Sequence, residues 1–162
     1  MKTKQDILAL LSEIPDPEIP VITIVELGVI RDINIVDNNT IELKITPTYS
    51  GCPAMKQIED DVRAKLTEHG FTNISLTTIF SPPWTTDWLT TEAKQKLQAY
   101  GIAPPEETTE DKSWLTGKIE NITCPRCKST QTKLISQFGS TACKALYQCK
   151  DCLEPFDYFK CI

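Results

Sequence analysis

The chain has 162 residues, 40% of them apolar, with a formal charge of −5, one histidine and seven cysteines. No uncharged apolar run is long enough to span a bilayer, and Met1 to Asp6 is polar where a secretory leader would be apolar, so the sequence predicts a soluble, cytoplasmic protein with reduced cysteines. Seven Lys/Arg against four Asp/Glu from Lys118 onward leave the preceding 117 residues strongly acidic, which argues against nucleic-acid binding by that part.

Ile7, Leu10, Leu11 and Ile14 recur at helical spacing and predict a first helix over about 3–14, stopped by Pro15. Asp16-Pro17-Glu18-Ile19-Pro20 follows as a proline-stiffened loop with two carboxylates. Val29 to Val36 and Thr40 to Thr46 alternate as strands, and Asp37-Asn38-Asn39 between them suits the positive φ of a tight hairpin. After a loop at 47–51, Met55, Ile58, Val62 and Leu66 mark a second helix that Gly70 ends, and Phe71 to Phe80 returns as a third strand. Ser81-Pro82-Pro83-Trp84 breaks that strand, and Leu89, Ala93, Leu97 and Tyr100 predict a short third helix. The expected fold class is α+β: a small α/β sandwich (helix, β-hairpin, helix, strand) with helices on one face of a mixed sheet, followed by a C-terminal four-cysteine zinc ribbon. The expected domains are 1–102, with the third helix in the first domain, a proline-bearing acidic linker at 103–117, and the ribbon at 118–162.

The strongest chemical signal is two Cys-x-x-Cys pairs, Cys124/Cys127 and Cys149/Cys152. Two residues between thiolates let both sulfurs reach one ion from a single turn, and two such turns supply the tetrahedral set that zinc accepts. Such a closed set is structural, because no coordination position stays open; rubredoxin-like iron is the competing occupant. A segment this small also needs a staple. Cys143 and Cys161 read as buried small side chains, with a second metal or redox role as the alternative.

Cys52 is a different thiol. It sits in Thr48-Tyr49-Ser50-Gly51-Cys52-Pro53 between a strand and a helix, and Pro53 suits a first helical position. The helix dipole there predicts a lowered thiol pKa. A reactive or metal-binding thiol and a small residue closing the turn both fit that placement. Asp16 and Glu18 read either as turn-capping and solvated groups or, with Cys52, as a mixed oxygen/sulfur metal site, while Glu26-Leu27-Gly28 precedes the hairpin. His69, at a helix end, reads as structural, and Trp84, Trp88 and Trp114 as packing or a docking surface. No serine/histidine/acid set, phosphate-binding glycine loop or dinucleotide fingerprint is present, which sets aside the conventional hydrolases, kinases and dehydrogenases.

Asp16-Pro17-Glu18, Glu26-Leu27-Gly28 and the Thr48-to-Pro53 segment, in that order over about residues 3–80, resemble the iron–sulfur cluster assembly family that contains the SufT-like proteins. Phe138-Gly139-Ser140-Thr141-Ala142-Cys143-Lys144, Cys149-x-x-Cys152 and Glu154-Pro155-Phe156-Asp157-Tyr158-Phe159-Lys160-Cys161 extend the likeness over nearly the whole chain, to the family of D proteins of phenylacetate-degradation operons. The resemblance implies a maturation factor for the metal centres of the multicomponent phenylacetyl-CoA epoxidase. It implies Cys52 as the reactive thiol with Asp16 beside it, Glu18 and Glu26 as further candidates, structural zinc, and iron or an iron–sulfur cluster as transient cargo. The partners it implies are components of the epoxidase complex, the iron–sulfur reductase among them, and a homodimer is compatible with it. A redox or structural subunit of the oxygenase, with iron in the four-cysteine site, is the alternative; a nucleic-acid-binding ribbon is a third reading that the acidic chain disfavours.

Overall fold

A computed structural model of the chain describes residues 1–49, 51–105, 122–141 and 143–159. Its contacts divide it into two units, Met1–Thr90 and Thr91–Ile162.

The first unit opens with helix α1, Lys4–Leu11, started by a capping box in which Asp6 N–H donates to Thr3 Oγ1 at 3.2 Å and Thr3 N–H to Asp6 Oδ2 at 2.7 Å. Strands β1, Ile30–Ile35, and β2, Thr40–Ile45, form the expected antiparallel hairpin, but its turn does not use the expected positive φ at Asp37, Asn38 or Asn39; Asn39 N–H donates to Asp37 Oδ1 at 2.8 Å instead. Helix α2, Ala54–Glu68, buries Ala54, Ile58, Val62 and Leu66, one residue per turn along one face. It ends where Gly70, at φ 94°, donates to Thr67 O and Phe71 N–H donates to Leu66 O, a pairing that satisfies two otherwise orphaned carbonyls. That turn delivers β3, Asn73–Thr78, parallel to β2, so the sheet is mixed with order β1-β2-β3. Ile7, Leu11, Ile33, Ile41, Leu43, Ile45, Ile58, Val62 and Leu66 form the buried layer between sheet and helices.

The remainder of this unit is irregular but well tied. Asp16 N–H donates to Ile22 O and Ile24 N–H to Ile14 O, which folds the proline loop back on itself, and Ile19, Ile22 and Ile24 anchor it in the core. A short 3-10 turn at Thr86–Trp88 closes the unit, and the buried Trp84 donates its indole N–H to Leu27 O at 2.8 Å. Trp84 is thus a packing residue; Trp114 lies outside the described residues.

In the second unit α3, Thr91–Tyr100, leads through Gly101 into β4, Ile102–Ala103. This differs from the sequence reading, which placed the third helix in the first domain and began a linker at residue 103. The reason is a pairing remote in sequence: Ile102 and Ala103 run parallel to Asp157 and Tyr158 of β7, Pro155–Phe159. Strands β5, Thr132–Ser136, and β6, Lys144–Cys149, complete a sheet of order β4-β7-β6-β5. Its small core gathers Ala103, Ile122, Cys124, Ala145, Tyr147, Cys149 and Phe156, with Tyr147 stacked on Phe156 at 5.9 Å.

Candidate metal centre and thiol site

The two cysteine pairs meet at one end of the second sheet. In the first, Cys124 N–H donates to Ser129 O at 2.8 Å and Lys128 N–H to Cys124 O at 3.0 Å, a loop that needs the left-handed φ of 63° at Lys128. The second repeats the construction from the end of β6: Cys149 N–H donates to Glu154 O at 3.0 Å, and Leu153 takes φ 64°. Each left-handed residue directly follows the second cysteine of its pair. Register joins the two loops, with Thr132 opposite Cys149 and Lys150 N–H donating to Gln131 O at 2.7 Å.

The four sulfurs lie within 4.8 Å of one another, with Cys124 to Cys152 at 3.8 Å and Cys127 to Cys149 at 3.5 Å. A tetrahedron with metal–sulfur bonds of about 2.3 Å has sulfur–sulfur edges of about 3.8 Å, so the donor set fits one zinc ion. These separations are far from a disulfide bond, and none of the six described cysteines forms one. N–H groups of Cys152 and Asp151 pull the Cys149 thiol down to about 7, while at Cys152 and Cys127 the loop amides are outweighed by burial and the neighbouring sulfurs, which push Cys152 up to about 12 and Cys127 upward as well. Among the described residues no other group of three or more Cys, His, Asp or Glu brings its ligand atoms together in this way.

Cys52 stands alone in the first unit. Its N–H donates to Tyr49 O at 3.3 Å across a turn whose Gly51 has φ 77°, and its C=O accepts from Met55 N–H at 3.3 Å as α2 begins. The turn carries the Tyr49 ring back to the thiol. Tyr49 O–H donates to Glu18 Oε1 at 3.2 Å and is hydrogen-bonded to the Cys52 side chain. Asp16 is buried, its Oδ1 accepting from Glu18 N–H at 2.9 Å and Ile19 N–H at 2.8 Å. It therefore caps the turn that presents Glu18, and its charge acts on Cys52 as well.

The expectation of a lowered Cys52 pKa is corrected here. Burial pushes the thiol up, the Ala54 amide at the helix start pulls it down, Glu18 pushes it up again, and the Tyr49 hydrogen bond and Asp16 act in opposite senses after that; the net direction is upward. Tyr49 is raised too, by burial first and then by the charges of Cys52 and Glu18.

The other candidates are placed as follows. Glu26 Oε2 accepts from Thr23 N–H at 2.9 Å while Glu26 N–H donates to Thr23 Oγ1 at 3.2 Å, so this carboxylate holds its own turn. His69 Nδ1 lies 2.8 Å from Lys65 O, at the end of α2. Cys143 is buried with Thr141 Oγ1 3.0 Å from its sulfur, and Cys161 lies outside the described residues. Sequence reasoning missed Tyr49 as a member of the site. Its one signal was its position three residues before Cys52, on the far side of a glycine.

Comparison with known proteins divides the chain in the same places as its chemistry. Residues 4–71, which hold Asp16, Glu18, Glu26 and Cys52, match the family described as iron–sulfur cluster assembly protein. Residues 108–160, which hold all four paired cysteines, match the PaaD zinc beta ribbon domain. A protein of Escherichia coli whose name makes it a subunit of 1,2-phenylacetyl-CoA epoxidase is 49% identical over 97% of this chain and 92% of its own length. The Fe-S protein maturation auxiliary factor SufT of Staphylococcus aureus is 36% identical over 51% of this chain and 93% of its own. Among solved structures, a domain of unknown function, DUF59, from Bacillus anthracis superposes with a TM-score of 0.55 at 30% identity, covering 58% of this chain and 90% of that one.

Proposed function

Since the chain belongs to the PaaD family of phenylacetyl-CoA epoxidase proteins, we propose that it serves aerobic phenylacetate degradation as a maturation factor for the metal centres of that enzyme, handling iron or an iron–sulfur cluster as cargo. The observation that carries this reading is the separation of two kinds of thiol. Four cysteines form a closed set that fits zinc, while Cys52, half-buried, faces a carboxylate through Tyr49 in the part of the chain matched to iron–sulfur assembly proteins.

The two sites suit opposite tasks. Four thiolates fill a tetrahedral shell, so an ion held there is retained and stabilises the fold around it. Cys52 offers one sulfur, and the negative charge of Glu18 and Asp16 around it attracts a cation while keeping the empty thiol protonated. Cargo arriving at the sulfur displaces that proton; cargo leaving lets it return. An acceptor that supplies more ligands than Cys52 does can take the cargo away.

The client is a component of the epoxidase complex, and the iron–sulfur reductase, as the component that carries a cluster, is the proposed one. A homodimer facing two Cys52 sites toward each other would supply the ligands one chain lacks. Both the zinc set and Cys52 work only as free thiols, which suits a cytoplasmic setting where thiols are kept reduced. No described helix is long and apolar enough to cross a membrane. In the test, epoxidase components are coexpressed with wild-type protein or with Cys52→Ala, and the iron and sulfide content of the purified reductase is measured. Loss of the cluster with Cys52→Ala supports the reading; a fully loaded reductase opposes it. The name of the Escherichia coli relative, which counts it among the parts of the enzyme, favours a second reading, a structural component of the oxygenase. That reading predicts stoichiometric copurification with the mature complex.

A further inference from the structure

The Tyr49 hydroxyl is shared between two groups at the thiol site. It donates to Glu18 Oε1 at 3.2 Å and is hydrogen-bonded to the Cys52 side chain. A phenol has one proton to give, so a carboxylate and a sulfur that carries negative charge compete for it.

The backbone brings sulfur and carboxylate together without help from that hydroxyl. Cys52 N–H donates to Tyr49 O at 3.3 Å across the turn whose Gly51 has φ 77°, which roots the ring beside the sulfur. Glu18 is presented by a separate turn that the buried Asp16 caps, with Asp16 Oδ1 accepting from Glu18 N–H at 2.9 Å and from Ile19 N–H at 2.8 Å. Neither turn uses the Tyr49 oxygen. Tyr49→Phe therefore removes the shared proton and leaves both turns in place.

That proton acts in one direction on a cation at Cys52. A hydrogen bond to a thiolate sulfur draws on the electron pairs that bind a metal, and so weakens the metal–sulfur bond. A hydrogen bond to Glu18 occupies a carboxylate oxygen that would otherwise turn toward the same cation. When cargo leaves, the metal–sulfur bond breaks with its electron pair kept by sulfur, and the Tyr49 O–H stands ready to donate to it. No oxidation or reduction accompanies that step.

Building on the metal handling proposed for Cys52, we propose that Tyr49 is the release element of that site, a positioning residue whose hydroxyl competes with bound cargo for the Cys52 sulfur and for Glu18. The hold on the cargo is thereby kept weak enough for an acceptor to take it.

Titration of zinc-loaded, full-length protein with cobalt(II) as the probe metal tests this. The thiolate-to-cobalt absorption of each protein is read after subtracting that of Cys52→Ala, which accounts for cobalt in the four-cysteine site. Tyr49→Phe is expected to bind cobalt about fivefold more tightly than wild type, the scale of one hydrogen bond, and to surrender it more slowly to a competing chelator. A variant that only loosened the loop would bind more weakly, so the sign separates release from structural support. Equal binding would overturn the inference by showing the hydroxyl to be without influence, and weaker binding would overturn it by making Tyr49 a ligand or a support; both leave Cys52 as a metal site. Absence of any Cys52-dependent absorption in wild type and Tyr49→Phe would instead overturn the metal handling by Cys52, and this inference with it.

Discussion

Tyr49 O–H donates to Glu18, and its hydrogen bond with Cys52 lowers the Cys52 pKa while raising its own, as a phenol proton turned toward a thiolate would, so the carboxylate and the Cys52 thiolate compete for one hydroxyl proton. Tyr49 thus stands between sulfur and carboxylate as the donor that either can claim. Glu18 raises the Cys52 pKa as a like charge would, so replacing it with glutamine removes that contribution and lowers the pKa. Thiolate is the nucleophile, and alkylation of Cys52 by iodoacetamide at pH 8 is therefore expected to be faster in Glu18→Gln than in wild type, with the pH profile displaced downward. Peptide-mapped alkylation rates check this; an unchanged or upward-displaced profile contradicts it. Gly28 makes a second residue-scale prediction. It has φ 80°, and an added Cβ would stand 2.9 Å from Trp88 Cβ and 3.1 Å from Trp88 O, so Gly28→Ala combines backbone strain with a clash and is expected to cost about 1–3 kcal/mol in denaturant unfolding. A loss below about 0.5 kcal/mol would show that the Trp88 segment moves aside freely. Cys52 was legible as a special thiol from its glycine, proline and flanking elements. Its pKa direction was not, because the opposing charges come from Asp16 and Glu18, more than thirty residues earlier, and no local rule carries that information.

The elements that local rules govern followed the sequence. Helix α2 runs between Pro53 and Gly70, the hairpin turns at Asp37 to Asn39, and the two Cys-x-x-Cys pairs meet at one point. Strand β4 escaped because two residues carry no periodicity, and its partner β7 lies more than fifty residues later. That small sheet has only a few fully buried apolar side chains and two buried cysteines in its core, so its stability is tied to the metal. Chelation, or Cys149→Ser, is expected to abolish protection from hydrogen exchange in β5, β6 and β7 while leaving α2 and β2 protected. Uniform protection after metal removal would contradict a stapled unit. The pH dependence has a definite sign: zinc binds thiolates and displaces their protons, so the stabilisation it supplies is present at neutral pH and lost as pH falls and the sulfurs take up protons.

At the scale of the whole molecule, the proposed function assigns retained metal to one unit and passing metal to the other. The first unit carries Cys52, the thiol proposed to exchange cargo, near Asp16 and Glu18, and the second carries a closed donor set that would leave a bound ion no open position. Two sites of such different character should respond independently. Replacing Cys52 should leave zinc and fold intact while removing cargo, and replacing Cys149 should unfold the ribbon while leaving the Cys52 alkylation profile in place. The most direct measurement is metal and acid-labile sulfide analysis of the anaerobically purified full-length protein, wild type beside Cys52→Ala, after coexpression with the epoxidase components. One zinc per chain in both proteins, with additional iron only in the wild type, is the predicted result; iron that persists in Cys52→Ala, or zinc that disappears with it, would contradict the account.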